Sequence, residues 1–350
     1  MNRNQLIKQL SISDPASLSV LYAEANAIKT STIGNKVYLR GLIEFSNICS
    51  KNCYYCGIRR ENQAVKRYEL SDEEVLAAVD FAWKNRYGSV VLQSGEQQSP
   101  HFTKRITHLL HEIKEFTNNE VGITLSCGEQ TAATYKEWFN AGAHRYLLRI
   151  ETSNKELYYK LHPNDDKHSF DARLSAIRQL RAEGYQVGTG VMIGLPFQTI
   201  EHLADDLLFF QSMNVDMVGM GPYLEHSQTP LYQQRNLLVP LEKRLELSLK
   251  MVATLRLLMP DINIAATTAL QVLHHEGREM AVLAGANIVM PNMTLPEFRP
   301  NYQIYDHKPN VNEDAALSKS KLEKYLQNAG IEIGYGEWGD SKHFFAPYSN

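Results

Sequence analysis

Cysteine, basic clusters and long apolar runs are all scarce in this sequence. Four cysteines occur in 350 residues and none follows Cys127, too few and too unevenly placed for a disulfide framework. Lysine and arginine number 36 against 39 aspartates and glutamates, a formal net charge of −3. No basic tract supplies the electrostatic footprint that nucleic acid requires, so no nucleic-acid partner is expected. No stretch approaches the roughly 18–20 uninterrupted apolar residues that span a bilayer, so no membrane partner is expected either. The opening MNRNQLIKQLSISD lacks the apolar centre and small-residue cleavage site of a secretory signal. The expectation is a cytoplasmic protein.

The remaining composition is that of a globular chain, 43% hydrophobic and 21% charged, long enough to bury a substantial core. Residues 1–36 read as a helical extension ending at the turn signal Ile33-Gly34-Asn35. Short apolar runs then alternate with amphipathic stretches. The runs at 37–45, 89–94, 121–126, 144–150, 186–194, 216–221, 262–267 and 287–290 read as strands. Helices are expected over 71–86, 102–117, 129–140, 170–183, 199–213, 240–258 and 269–283. Ser71 with Glu74 makes a capping box, and Gly88, Gly142 and Gly184 follow helix ends as C-terminal caps do. Eight apolar strands alternating with helices predict an α/β fold, a (β/α)8 TIM-type barrel. The rival open sheet lacks its glycine-rich phosphate fingerprint after the first strand. The expected organisation is a helical extension over 1–36, the barrel over 37–290, and a segment over 291–350 covering one end.

The cysteines concentrate in FSNICSKNCYYCG, residues 45–57, directly after the first strand. That position is the C-terminal mouth, where barrel active sites are built. Cys49, Cys53 and Cys56, spaced C-x3-C-x2-C, can turn three thiolates toward one centre. Iron–sulfur clusters normally take four such ligands, so a cubane here keeps one iron without a protein thiolate. An open metal position serves chemistry. Structural zinc would want a fourth Cys or a nearby paired His, which the local sequence does not provide.

Polar residues gather at the other strand ends. Gln93-Ser94-Gly95-Glu96 ends the second strand, with a glycine that lets backbone approach a ligand closely. Arg149 and Glu151, two apart on the fourth, point the same way and suit a zwitterionic ligand. A rim salt bridge is the plainer reading of that pair. Thr124 and Ser126 end the third strand and Thr267 and Thr268 the seventh; with Arg149 their hydroxyls can hold an anionic or carboxylate-bearing substrate. Strand propensity alone also accounts for such threonines. Met192 and Ile193 fit either contact with a flat ligand or barrel packing. Cys127 reads as a small buried hydrophobe with a substrate role left open.

The three-cysteine motif, with Tyr55 just before its last cysteine, resembles that of the radical S-adenosylmethionine (SAM) superfamily. The resemblance implies one [4Fe–4S] cluster on Cys49, Cys53 and Cys56, its open iron chelating SAM, and reductive cleavage to a 5′-deoxyadenosyl radical. It implies Tyr55, Met192 and Ile193 near adenine, the 93–96 turn receiving the SAM amino group, and Glu151 and Arg173 in contact with SAM. A narrower resemblance runs over about 37–306. RGLIEFSNICSKNCYYCGIRR, VLQSGE, RYLLRIET, GVMIGLPFQT and DMVGMGPY followed by TPL are similar to the HydE family of [FeFe]-hydrogenase maturases. Biotin synthase and methylornithine synthase are relatives of that family. The resemblance implies that Tyr302 and Tyr305 line a substrate cavity. It further implies a small cysteine-bearing organo-iron substrate, a reducing electron donor and other hydrogenase maturation proteins as partners. Two positions depart from the family, Ile150 where His is common and Phe197 where Gly is frequent. Some HydE proteins hold a second cluster on later cysteines, which this chain lacks, and the sulfur-donating cluster of biotin synthase loses its ligands for the same reason. The alternatives are a methylornithine-synthase-like carbon-skeleton mutase and, in another class, a non-enzymatic iron–sulfur scaffold or carrier.

Overall fold

A computed structural model describes residues 1–309 and 315–346. The chain opens with α1 (Arg3–Leu10) and α2 (Pro15–Ile33), then alternates β1 (Lys36–Ser46), α3 (Asp72–Lys84), β2 (Ser89–Ser94) and α4 (Pro100–Phe116). It continues through β3 (Gly122–Ser126), α5 (Ala132–Asn140), β4 (Ala143–Leu147), α6 (Lys155–Leu161), α7 (Phe170–Ala182), β5 (Gln186–Thr189) and β6 (Met192–Ile193). Next come α8 (Ile200–Ser212), β7 (Met217–Val218), β8 (Gly221–Pro222), α9 (Leu241–Leu258) and β9 (Asn263–Ala266). The chain ends with α10 (Leu270–Leu273), α11 (Gly277–Leu283), β10 (Ile288–Val289), α12 (Ala315–Asn328), β11 (Glu332–Ile333) and α13 (Lys342–Phe345).

Parallel pairing runs β1–β2–β3–β4–β5–β7–β9–β10, and β10 returns to β1 with Tyr38 beside Ile288 and Leu39 beside Val289. The sheet is therefore a closed eight-stranded barrel, as the alternation predicts. Side-chain alternation divides β1. Phe45 faces outward and stacks on Phe102 of α4 at 6.3 Å, whereas Arg40 faces inward, its NH1 on the Met217 sulfur. Outside β4, Tyr146 stacks on Trp138 of α5, and α2 packs along α9.

The departures from expectation have local causes. The fifth and sixth strands, expected over 186–194 and 216–221, are each interrupted, and β6 pairs with β8 as a separate ladder. Their backbones meet between β5 and β7: a Cβ on Gly190 would lie 1.9 Å from the Gly219 carbonyl oxygen. The helix expected over 269–283 breaks at His274–Glu276, where the Gly277 N–H reaches the His274 carbonyl at 2.7 Å. The capping glycine expected at 88 is not the left-handed residue after α3; Arg86 is, with φ 59°. Gly88 instead yields to the chain beside it, since a Cβ there would lie 1.7 Å from the Glu337 oxygen. Gly142 and Gly184 do take positive φ after their helices.

Residues beyond 290 serve both ends of the barrel. Residues 291–309 run over the C-terminal mouth, where Met293 N–H bonds Leu42 O at 2.7 Å and Gly57 N–H bonds Ile304 O at 3.0 Å. Residues 338–341 cross the opposite end. There Arg40 NH2 and Asn263 Nδ2 donate to Gly339 O at 2.9 and 2.8 Å, and Ser341 N donates to Gln186 Oε1 at 3.1 Å. Two stretches of the expected C-terminal segment, 310–314 and 347–350, lie outside the described residues.

Candidate active site at the cysteine loop

The cysteine loop hangs from β1 against the end of β2. Gly95 lets the two touch, since a Cβ there would sit 2.4 Å from Ile48 O and 2.8 Å from Cys49 Cβ. The glycine is expected to let backbone approach a ligand; what lies against it in the structure is the cysteine loop itself. Glu96 N–H points at Cys49 Sγ, 3.4 Å away, and Ser50 N–H bonds Glu96 O at 2.8 Å. Arg67 gathers the far side of the loop, NH1 donating to Asn47 O at 2.7 Å and Ile58 O at 2.8 Å. From the α6–α7 side, His168 Nε2 accepts the Asn52 N–H at 2.8 Å while its Nδ1 meets Asp165 at 2.6 Å.

The three thiols are unpaired and sit together. Burial, reinforced by the Cys49 thiol, pushes Cys53 up to about 12. Cys56 is raised well above its ordinary value by burial and by both other cysteines. Metal ligation takes a thiol in its deprotonated form, so a bound cationic centre would offset the burial that holds these three protonated. Among the described residues, no group of three or more His, Cys, Asp or Glu side chains is placed to hold a single metal ion. Three cysteines on one loop would hold a cluster of the [4Fe–4S] kind with one iron left without a protein thiolate.

Beside the loop lies a cage of four alternating charges. Lys51 Nζ meets Glu96 Oε1 at 3.0 Å and Glu129 Oε2 at 2.9 Å. Arg173 pairs with Glu129 through Nε, donates NH1 to Arg149 O at 2.8 Å and stands 3.5 Å from Glu96 through NH2. Burial raises Glu96 against the pull of Arg173. In Glu129 the balance reverses: burial acts upward, but Arg173 and Lys51 outweigh it and hold the carboxyl low. Arg149 and Glu151 are joined at 2.9 Å, and Glu151 has a left-handed backbone, φ 67°. On the other side Tyr55, half-buried, borders an apolar cluster containing Met192, Leu157, Leu161, Leu195, Tyr223 and Leu231. The Tyr55 hydroxyl lies 3.4 Å from His162 Nε2. Ile193 points away from Met192 into the main core, with no exposure, so the two do not share a face.

The radical SAM superfamily profile matches residues 43–210, a stretch holding the cysteine loop and the charge cage. Along 98% of its length the chain is 40% identical to 94% of the [FeFe] hydrogenase maturase subunit HydE of Thermotoga maritima. The chain belongs to the radical SAM superfamily. It is also 30% identical, over 92% of its length and 87% of the relative's, to 3-methylornithine synthase of Methanosarcina acetivorans. The crystal structure of methylornithine synthase (PylB) superposes with a TM-score of 0.78 at 26% identity, covering 96% of this chain and 94% of that one. As a radical SAM enzyme, the protein depends on a [4Fe–4S] cluster and on SAM.

In this radical SAM barrel the residues expected around a substrate divide between two levels. Arg149, Tyr302 and Thr268 are near the mouth. Tyr302 is buried, its hydroxyl accepting from Gln93 Nε2 at 3.2 Å, with the Lys308 ammonium 5.0 Å above its ring. Thr268 shares a small cavity with Leu42, Met290, Asn292, Arg278 and Lys308. Tyr305 is half-buried on the same covering segment, and Thr267 is turned to Met220 O at 3.4 Å. Thr124 is deeper. Its hydroxyl is taken by Arg145 Nε at 2.9 Å, and Arg145 NH1 reaches Trp338 O on the strap across the far end. That places Thr124 in the floor network rather than at the mouth. Ser94 bonds the neighbouring Gly95 carbonyl at 2.8 Å, and Cys127 is buried with no exposure.

Reading by residue type passed over Lys51, Glu129, Glu44 and Lys308. Glu129 falls within the helix expected over 129–140, which begins only at Ala132; its position just after β3 is the available signal. Lys51 lay within the motif itself, between two cysteines. Glu44 and Lys308 pair at 2.5 Å across 264 positions, which no local pattern marks.

Proposed function

We propose that this chain is a HydE-type maturase, acting on a small cysteine-bearing organo-iron precursor in assembly of the [FeFe]-hydrogenase active-site cluster. The observation that carries this reading is the 40% identity maintained over 98% of the chain, which spans loop, cage and covering segment alike. When bound on Cys49, Cys53 and Cys56, the cluster supplies an open iron for SAM and the electron that cleaves it. The protein's own residues bind, orient and keep water out. The Glu96 N–H stabilises the Cys49 thiolate. Arg173, whose NH2 is its least engaged nitrogen, would hold the SAM carboxylate, while Glu96 and Glu151 would serve the amino group and the ribose. Tyr55 and Met192 give adenine an apolar wall. The Tyr302 cover, with Arg149, Thr268 and Tyr305 around the mouth, closes the lumen over a substrate and shields a radical from solvent.

The setting proposed is cytoplasmic, with a reducing electron donor and the other maturation proteins as partners. No helix among the described residues is long and apolar enough to cross a membrane. A carbon-skeleton mutase is the second reading, favoured by the 30% identity to 3-methylornithine synthase. The test is anaerobic reconstitution, dithionite reduction and addition of SAM. Formation of 5′-deoxyadenosine, hydrogenase activation in a maturation assay and no lysine conversion are expected. Lysine conversion without hydrogenase activation establishes the mutase, and a reducible cluster without 5′-deoxyadenosine establishes a carrier. Cys53→Ser should lose cluster and cleavage together; retained cleavage removes Cys53 from the ligand set.

A further inference from the structure

Asp206 belongs to α8, on the outside of the barrel, and its side chain has no exposure. One oxygen, Oδ1, accepts two hydrogen bonds from Ser153, from N–H at 2.6 Å and from Oγ at 2.6 Å. The other, Oδ2, is buried with no hydrogen-bond partner. Such an arrangement is unfavourable for a carboxyl group in isolation, so the fold is retaining it against its burial. Burial, with the nearby Asp205 charge, outweighs the two Ser153 hydrogen bonds and pushes the group up to about 7.

The object of this grip is the turn after β4. Glu151, two residues before Ser153, holds φ at 67°, a conformation that a non-glycine residue keeps only when its surroundings over-determine it. On the upstream side the surroundings are present: Glu151 N–H bonds Gly190 O at 2.9 Å, and Glu151 O accepts Met192 N–H at 3.1 Å. Downstream, Thr152 Oγ1 accepts the Asn154 N–H at 3.2 Å, and Asn154 caps α6 by accepting the Leu157 N–H at 2.8 Å. Helix α6 in turn receives the cysteine loop, through Tyr54 N–H to Leu161 O at 2.9 Å. Ser153 is the residue joining the two sides, and Asp206 is its anchor.

We propose that Asp206 is a positioning residue for SAM: its Oδ1 clamps Ser153 and thereby holds Glu151 in the left-handed turn that presents the Glu151 carboxylate to the cofactor. The inference rests on the reading of Glu151 as a SAM contact. The clamp requires an acceptor at Oδ1, and that sets its signature.

The test uses the cluster-loaded protein and measures SAM dissociation constants at equilibrium, with amide hydrogen exchange of residues 152–154 and the thermal midpoint alongside. Asp206→Ala raises the SAM dissociation constant roughly tenfold and speeds exchange at 152–154. Asp206→Asn, which keeps the acceptor, restores both to near wild type, and Ser153→Ala, which removes one donor, gives a smaller rise. In a Glu151→Ala background, Asp206→Ala adds no further loss of SAM affinity. Unchanged exchange at 152–154 in Asp206→Ala, or an equal affinity loss with and without Glu151, overturns the proposal. If Glu151→Ala by itself leaves SAM affinity intact, the Glu151 reading fails separately, and the exchange data still decide the clamp. Should Asp206→Ala not fold, Ser153→Ala carries the same comparison.

Discussion

Glu129 holds Arg173 with one oxygen and Lys51 with the other, so one carboxylate orients two cations that approach the cluster from different segments. Arg173 is fixed through Nε by Glu129 and through NH1 by the Arg149 carbonyl, while NH2 keeps only a 3.5 Å contact with Glu96. Replacing Glu129 by Gln preserves size but leaves Glu96 to balance both cations. Losing a buried charge-assisted bond costs about 1.5–3 kcal/mol, so SAM affinity should fall at least about tenfold. Titration of SAM into the reconstituted variant measures this, and the cluster's visible absorption should be unaltered. Gly57 makes a steric prediction at the same scale. A Cβ there would lie 2.1 Å from Gln303 O and 2.2 Å from the His226 ring. Gly57→Ala should therefore push the covering segment off the cysteine loop and destabilise by about 1–3 kcal/mol. Denaturant unfolding with iron analysis reads both effects.

Among the elements, α3 begins where its sequence says. Ser71 Oγ accepts the Glu74 N–H at 3.2 Å and Glu74 Oε2 accepts the Ser71 N–H at 2.7 Å. Ser71→Ala should cost about 1 kcal/mol in unfolding free energy and leave SAM binding untouched, because the helix start lies away from the mouth. Capping is legible because donor and acceptor are three positions apart. The same holds for the strands, whose apolar runs announced all eight barrel staves. The interruption between β5 and β6 was not legible, because it arises where Gly190 meets Gly219, a chain contact across 29 positions. Helix α6 escaped notice for a related reason: at seven residues it is too short for a period to register.

For the molecule as a whole, the strap across the far end of the barrel should carry much of the pH dependence. Asp340 meets His144 at 3.1 Å and pairs with Arg145. Burial acts against its ionisation, but the His144 hydrogen bond and the Arg145 charge hold it well below its ordinary 3.8. A lowered acid stabilises the fold fully above its unfolded value and loses that contribution as pH falls below about 3.8. Burial and Arg145 push His144 down to about 4 from 6.5, so its protonation in the unfolded chain drains stability over that interval. His343, raised by Asp261 despite burial, contributes most below 6.5 and less as pH climbs through its folded value. Thermal midpoints followed from pH 8 to 3 should fall in two stages, below 6.5 and again below 4. Asp340→Asn should remove the lower stage and cost ~3 kcal/mol at pH 7, since Arg145 remains buried without its carboxylate.

By itself the sequence determined the barrel and a three-thiolate centre, and the resemblance carried by its motifs added the cofactor chemistry. Both patterns are short-range, three thiols within eight positions and apolar runs alternating with capped helices. Only the tertiary structure decided what surrounds the cysteines. The resemblance marks Arg173 as a SAM contact, but only the fold brings Glu96, Glu129 and the Arg149 carbonyl to it, and Thr124, expected at the mouth, is claimed by Arg145 from below. A buried charge is placed by whichever distant group neutralises it. That partner leaves no trace in the neighbouring residues, because the desolvation it offsets exists only once the chain has closed around it.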